Sequence, residues 1–155
     1  TTWTTFSDGG SSTASATVTG LANSTTYTFR VTALNAAGVG TPSETTTATT
    51  ATVPGSPTGL SVEFMPDRTD ILWTPPSNGG TAITGYVVQY SSDAGATWTT
   101  APEGVPGVSE ELGRSIEGLV NGTAYLVRAA AVNAVGTGNY SDNLSFTGEG
   151  IIDYM

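Results

Sequence analysis

The stretch that decides the fold occurs twice in the chain. Residues 119–138 read LVNGTAYLVRAAAVNAVGTG, and residues 21–40 read LANSTTYTFRVTALNAAGVG, so Leu, Asn, Thr, Tyr, Arg, Ala, Asn and two Gly recur at a constant offset of 98. A second match pairs TWTT at 2–5 with TWTT at 97–100, at an offset of 95. A period near 100 residues is typical of a small sandwich domain rather than of a solenoid repeat.

Outside the repeated stretch, the second copy contains short β-type segments separated by turn residues. Residues 60–64 alternate apolar and polar side chains, and residues 85–90 are rich in β-formers. Pro75-Pro76 ends one segment, and Asp93-Ala94-Gly95 is typical of a hairpin turn. The pattern predicts seven strands, at 60–64, 69–73, 85–90, 96–100, 113–117, 123–133 and 140–147.

Several of these residues together resemble the fibronectin type III family. Three features carry this resemblance. They are the entry segment with Pro54, Pro57 and Leu60, Trp73 followed by Thr-Pro-Pro, and the run Tyr-x-x-Arg-x-x-Ala-x-Asn-x-x-Gly that begins at Tyr125. The resemblance implies an all-β, immunoglobulin-like Greek-key β-sandwich with the Trp at the centre of the core and a tyrosine corner between the sheets. The core and corner residues that it implies are Trp73, Tyr86, Leu119 and Tyr125, with Leu21 and Tyr27 in the first copy.

The first copy carries only the later part of this pattern. We therefore expect the C-terminal half of one domain at residues 1–52, a Pro-rich linker at 53–57, a complete domain at 58–148 and an apolar tail at 149–155. Half a sandwich cannot bury a core and leaves open sheet edges. Three explanations are open: the chain is part of a longer protein, a neighbouring chain supplies strands, or an unrelated partner covers the half-domain. We favour the first.

The composition narrows the possible chemistry. The chain has no Cys, His or Lys, and 13 acidic residues against four Arg give a net charge of −9. We therefore expect no nucleic-acid partner, and no apolar run is long enough for membrane insertion. The acidic residues, among them Glu110-Glu111 and the pair Asp67 and Asp70, are interpreted as solvated turn charges. Glycoside hydrolysis needs two carboxylates facing a cleft, and a small filled sandwich offers no deep cleft. We expect no catalytic residue and no cofactor. We also expect no metal site, because calcium needs six to eight oxygen ligands.

Other residues are candidates for surface contacts. Trp3 and Trp98 could stack on sugars, but their shared strand position favours a role in covering the sheet edge. Ile151, Ile152 and Tyr154 make the tail either a docking peptide or the start of a further segment. The pattern Asn-x-Ser/Thr is interpreted as turn chemistry rather than glycosylation; it occurs at Asn23, Asn121, Asn139 and Asn143.

These patterns favour a non-enzymatic structural or adhesive module. The Thr/Gly-rich sequence of residues 78–100 resembles modules of bacterial surface proteins and phage virion proteins. We expect a phage virion structural protein (capsid decoration, tail or fibre), with a bacterial cell-surface or filament protein, or a spacer of a secreted carbohydrate-active enzyme, as alternatives. The expected location is extracellular or on the virion surface. Other copies or neighbouring subunits are the expected partners, and surface glycans are a further possibility.

Overall fold

The computed structural model describes residues 2–103 and 112–149, all of whose regular secondary structure is β. The chain divides into two compact units, Thr1–Ala51 and Thr52–Met155. Unit 1 contains β1 (Thr26–Phe29), β2 (Leu34–Asn35), β3 (Gly38–Val39) and β4 (Thr46–Thr49). Unit 2 contains β5 (Thr58–Phe64), β6 (Thr69–Thr74), β7 (Ile83–Ser91), β8 (Thr99–Thr100), β9 (Gly113–Ile116), β10 (Ala124–Asn133) and β11 (Leu144–Thr147).

Unit 2 is a sandwich of two antiparallel sheets. One sheet has the strand order β5-β6-β9, and the other has the order β11-β10-β7-β8. The chain changes sheets between β6 and β7, again between β8 and β9, and a third time between β9 and β10. This arrangement confirms the predicted all-β, immunoglobulin-like Greek-key fold.

The core of unit 2 lies between the two sheets. Ile71 of β6, Val88 of β7 and Val127 of β10 are fully buried. The Trp73 and Tyr86 rings pack across the interface with their centroids 4.8 Å apart. Ile71 and Trp73 both face this core because residues two apart in a strand face the same side of the sheet. The remaining buried apolar residues of this cluster are Ala101, Ile116, Ala129 and Ala131.

Two strands are shorter than the sequence predicts by three or four residues, each for a local reason. The fourth begins at Thr99 rather than at residue 96, because Thr97 belongs to the preceding turn, where its amide donates to Asp93 Oδ1 at 2.9 Å. The seventh begins at Leu144 rather than at residue 140. There, Ser141 joins β10 through its own amide, which donates to the Ala129 carbonyl at 2.8 Å, and through its hydroxyl, which accepts from the Ala129 amide at 3.1 Å.

Unit 1 is a hairpin without a closed core. Strand β1 pairs with β4, and β2 pairs with β3 at the tip. None of the described residues 2–51 is fully buried. Val31 is 73% exposed, whereas Ala129, its equivalent at offset 98 in unit 2, is completely buried. The two repeats therefore share local structure but differ in burial.

Candidate functional site

Tyrosine corners occur in both units. In unit 2 the Tyr125 hydroxyl accepts a hydrogen bond from the Val120 amide at 3.0 Å, and in unit 1 the Tyr27 hydroxyl accepts one from the Ala22 amide at 3.0 Å. Tyr125 is buried and stacks on Phe146 with a centroid distance of 5.7 Å. Leu119 packs partly buried against the core, and Leu21 is half-buried at the same place in unit 1. These contacts fix the loop before β10 in unit 2 and the loop before β1 in unit 1.

Trp98 and Trp3 each lie under an arginine. The Arg128 guanidinium carbon is 3.8 Å from the Trp98 ring centroid and 4.2 Å from that of Tyr140. Gln89 Oε1 accepts from Arg128 Nε at 3.1 Å and from Nη2 at 2.8 Å. In unit 1, Arg30 lies 4.1 Å from the Trp3 centroid. Because arginine occupies a face of each indole, that face does not offer a free platform for a sugar.

Asp70 corrects the interpretation of the acids as solvated turn charges. It lies inside β6 and is only 1% exposed. Its Oδ1 accepts from Arg68 Nε at 3.0 Å and from the Ser115 hydroxyl at 2.6 Å. Asp67 is exposed and also reaches Arg68, at 3.4 Å. The pair is therefore held by an arginine, and Glu110-Glu111 lies outside the described residues.

Arg114 is a buried cation that the sequence analysis missed. It lies in β9, is 3% exposed, and donates from Nη2 to the Tyr86 carbonyl at 3.1 Å and from Nη1 to the Pro102 carbonyl at 3.3 Å. These bonds tie the β5-β6-β9 sheet to the opposite one. A lone arginine in a strand gives no sequence signal for such a bridge, because its direction depends on the register with β6.

Asp93 organises the hairpin turn between β7 and β8. The Ser91 hydroxyl donates to its Oδ1 at 2.7 Å, and the Thr97 hydroxyl donates to its Oδ2 at 2.6 Å. The Ser91 and Thr97 hydrogen bonds lower the pKa of Asp93 to about 2. A lowered pKa means that this carboxylate is a poor proton donor or acceptor at neutral pH, so its role is to build the turn.

The described surface of unit 2 contains a depression of about 640 Å³ beside this turn. Its lining is mainly apolar and includes Tyr125, Leu126 and Phe146, and its charged residue, Asp93, is already hydrogen-bonded within the turn. Within residues 2–103 and 112–149, no group of three or more acidic residues is placed to hold a metal ion. No helix in that part of the chain is long and apolar enough to cross a membrane. The tail residues Ile151, Ile152 and Tyr154 lie outside the described residues.

The repeated corner, the buried Trp and the strand order agree with a comparison against protein families. The profile described as "Fibronectin type III domain" matches residues 3–49 and 55–147. The chain belongs to the fibronectin type III domain family. Within the family's sandwich, Trp73 and Tyr86 occupy the core and Tyr125 the corner between strands.

Several long proteins contain similar fibronectin type III sequence. Cardiac-type myosin-binding protein C of Gallus gallus is 35% identical over 113 residues, which is 71% of this chain and 9% of that protein. Neogenin of Rattus norvegicus is 35% identical over 139 residues, which is 83% of this chain and 10% of that protein. The chain thus spans about a tenth of these relatives. Domains A168–A170 of titin superpose with a TM-score of 0.56 at 26% identity, covering 79% of this chain and 40% of that one.

Proposed function

We propose that the chain is a non-catalytic segment of a larger structural or adhesive protein, in which the sandwich acts as a rigid spacer. The observation that carries this proposal is the closed core of unit 2, where Ile71, Val88 and Val127 are fully buried between two hydrogen-bonded sheets. A close-packed interior resists deformation. The carboxylates of Asp70 and Asp93 are engaged in structural hydrogen bonds.

We further propose a cell-surface setting, with other copies or neighbouring subunits of an assembly as partners. The support is similarity to "Cell adhesion molecule DSCAML1" of Gallus gallus, which is 40% identical over 72 residues, or 46% of this chain and 3% of that protein. The virion location that we expected from the Thr/Gly-rich sequence of residues 78–100 has no support in these comparisons. A spacer in a secreted carbohydrate-active enzyme would use the same rigidity, and a hydrolase domain in the full reading frame would identify that alternative.

Single-molecule stretching of the whole chain tests the spacer role. We expect unit 2 to resist and then unfold in one step, since its strands share one core. Unfolding residues 58–147 releases roughly 300 Å of contour length at about 3.3–3.6 Å per residue. Unit 1 provides the internal control, because its hairpin has no closed core and should extend without a comparable step. A gradual extension of unit 2 without a discrete step would contradict the spacer role.

A further inference from the structure

Residues 52–55, here called the leading segment, are the first residues of unit 2 and are hydrogen-bonded to its later loops before its first strand begins. The Thr52 amide donates to the Gly79 carbonyl at 2.8 Å, and the Gly55 amide donates to the Ser77 carbonyl at 3.0 Å. Pro54 and Pro57 are both buried. A proline-rich stretch that only connected two domains would leave these rings in solvent.

Asn133, at the end of β10, joins the leading segment to two loops. Its side-chain amide donates from Nδ2 to the Thr52 carbonyl at 2.7 Å and to the Asn78 carbonyl at 2.9 Å. Its Oδ1 accepts from the Val135 amide at 2.9 Å and from the Gly136 amide at 3.2 Å. The residue is 4% exposed, so its polar atoms need protein partners.

Two glycines allow the leading segment to come this close. A Cβ on Gly79 would overlap the Thr52 carbonyl oxygen, and a Cβ on Gly138 would overlap the Pro54 carbonyl oxygen. Gly79 also has a φ of +71°, which an L side chain adopts with difficulty. Glycine at these two positions therefore leaves room for the backbone of residues 52–54.

The other end of the connection is equally bonded to unit 1. The Thr50 amide donates to the Thr25 carbonyl at 3.0 Å. Ala51 is therefore the single residue between Thr50, whose amide is bonded within unit 1, and Thr52, whose amide is bonded within unit 2.

Unit 1 contains an asparagine at the position equivalent to Asn133. Asn35 matches Asn133 at offset 98 and makes the equivalent loop bond, since its Oδ1 accepts from the Ala37 amide at 2.8 Å.

We propose that Asn133 holds the leading segment against the strands and loops of unit 2, so that residues 52–57 move with the sandwich rather than as a flexible linker. The side chain has two separable tasks. Its Oδ1 builds the loop that follows β10, and its Nδ2 holds the leading segment. The inference adds to the spacer role but does not depend on it, because stretching resistance comes from the core strands.

Amide hydrogen exchange of the ¹⁵N-labelled whole chain tests the proposal at the Thr52 and Gly55 amides. Asn133→Asp keeps an oxygen for the loop amides but has no side-chain donor for the Thr52 carbonyl. We expect exchange at both amides to accelerate fivefold or more, while amides of β7 and β10 keep their protection. Asn35→Asp is the matched control and should leave both amides unchanged.

Gly138→Ala provides a second route to the same result, because its Cβ would overlap the Pro54 carbonyl oxygen while residue 133 stays Asn. It decides the question if Asn133→Asp lowers protection throughout unit 2. Acceleration below fivefold at Thr52 and Gly55 in a folded Asn133→Asp variant would overturn the proposal. Unprotected exchange of these two amides in the unmodified chain would overturn it as well.

Discussion

Val127→Ala should destabilise unit 2, whereas Phe29→Ala, the equivalent change in unit 1, should not. Val127 is fully buried in β10, and Phe29 is half-buried in β1. Truncation of Val127 removes two buried methyl-sized groups, which contribute about 0.8 kcal/mol each through transfer from water. A residual cavity of about 40 Å³ adds about 1 kcal/mol at about 24 cal/mol per Å³. The expected loss is therefore about 2–3 kcal/mol.

Urea denaturation followed by tryptophan fluorescence measures this loss, with Trp73 reporting from the core. At a slope of about 1–3 kcal/mol per M, the midpoint should fall by about 0.7–3 M. Heating should show a Tm lower by about 10–20 °C. Phe29→Ala removes a larger side chain but should change the same transition by less than about 0.5 kcal/mol. A loss below about 1 kcal/mol for Val127→Ala, or equal losses for the two variants, would refute the assignment of a closed core to unit 2 alone.

Three further outcomes follow from individual side chains. Tyr125→Phe should cost about 1 kcal/mol in urea unfolding, because the Val120 amide loses its acceptor; no measurable change would argue against the corner as a stabilising contact. The pKa of Asp93 falls from 3.8 to about 2 on folding. The ionised carboxylate should therefore add its full contribution to the free energy of unfolding above about pH 4, and that contribution should disappear as the pH falls towards 2. Asp93→Asn should lose that pH dependence, and an unchanged profile would contradict the turn's role. Trypsin should cleave first after exposed Arg30, since Arg114 is buried; mass spectrometry identifies the first fragment, and initial cleavage within unit 2 would be inconsistent with this order.

The sequence predicted the strands whose side chains follow a simple period. The prediction of 69–73 matches β6 within one residue, because Ile71 and Trp73 face the core at a spacing of two. The family resemblance implied the tyrosine corner at Tyr125, and the repeat carried the expectation over to Tyr27, whose hydroxyl makes the same bond in unit 1. Such features depend on neighbours along the chain or on the similarity between the two copies, and both can be read without coordinates.

Contacts between distant segments could not be read in this way. The burial of Asp70 depends on Ser115 opposite it, 45 positions later in the chain. The bonds of Asn133 to Thr52 and Asn78 join three segments that lie 81 and 55 positions apart in the chain. The recurrence of Trp and Arg in both copies was visible, but their stacking needs the strand register. Polar contacts of this kind are set by tertiary geometry rather than by local pattern.

The chain joins one closed sandwich, unit 2, to an open hairpin, unit 1. Amide hydrogen exchange across the whole chain measures this difference between the units. We expect amides of β6, β7 and β10 to exchange only through global unfolding, with one shared free energy, and amides of β1 and β4 to exchange through low-energy local opening. Equal protection in β1 and β10 would contradict it.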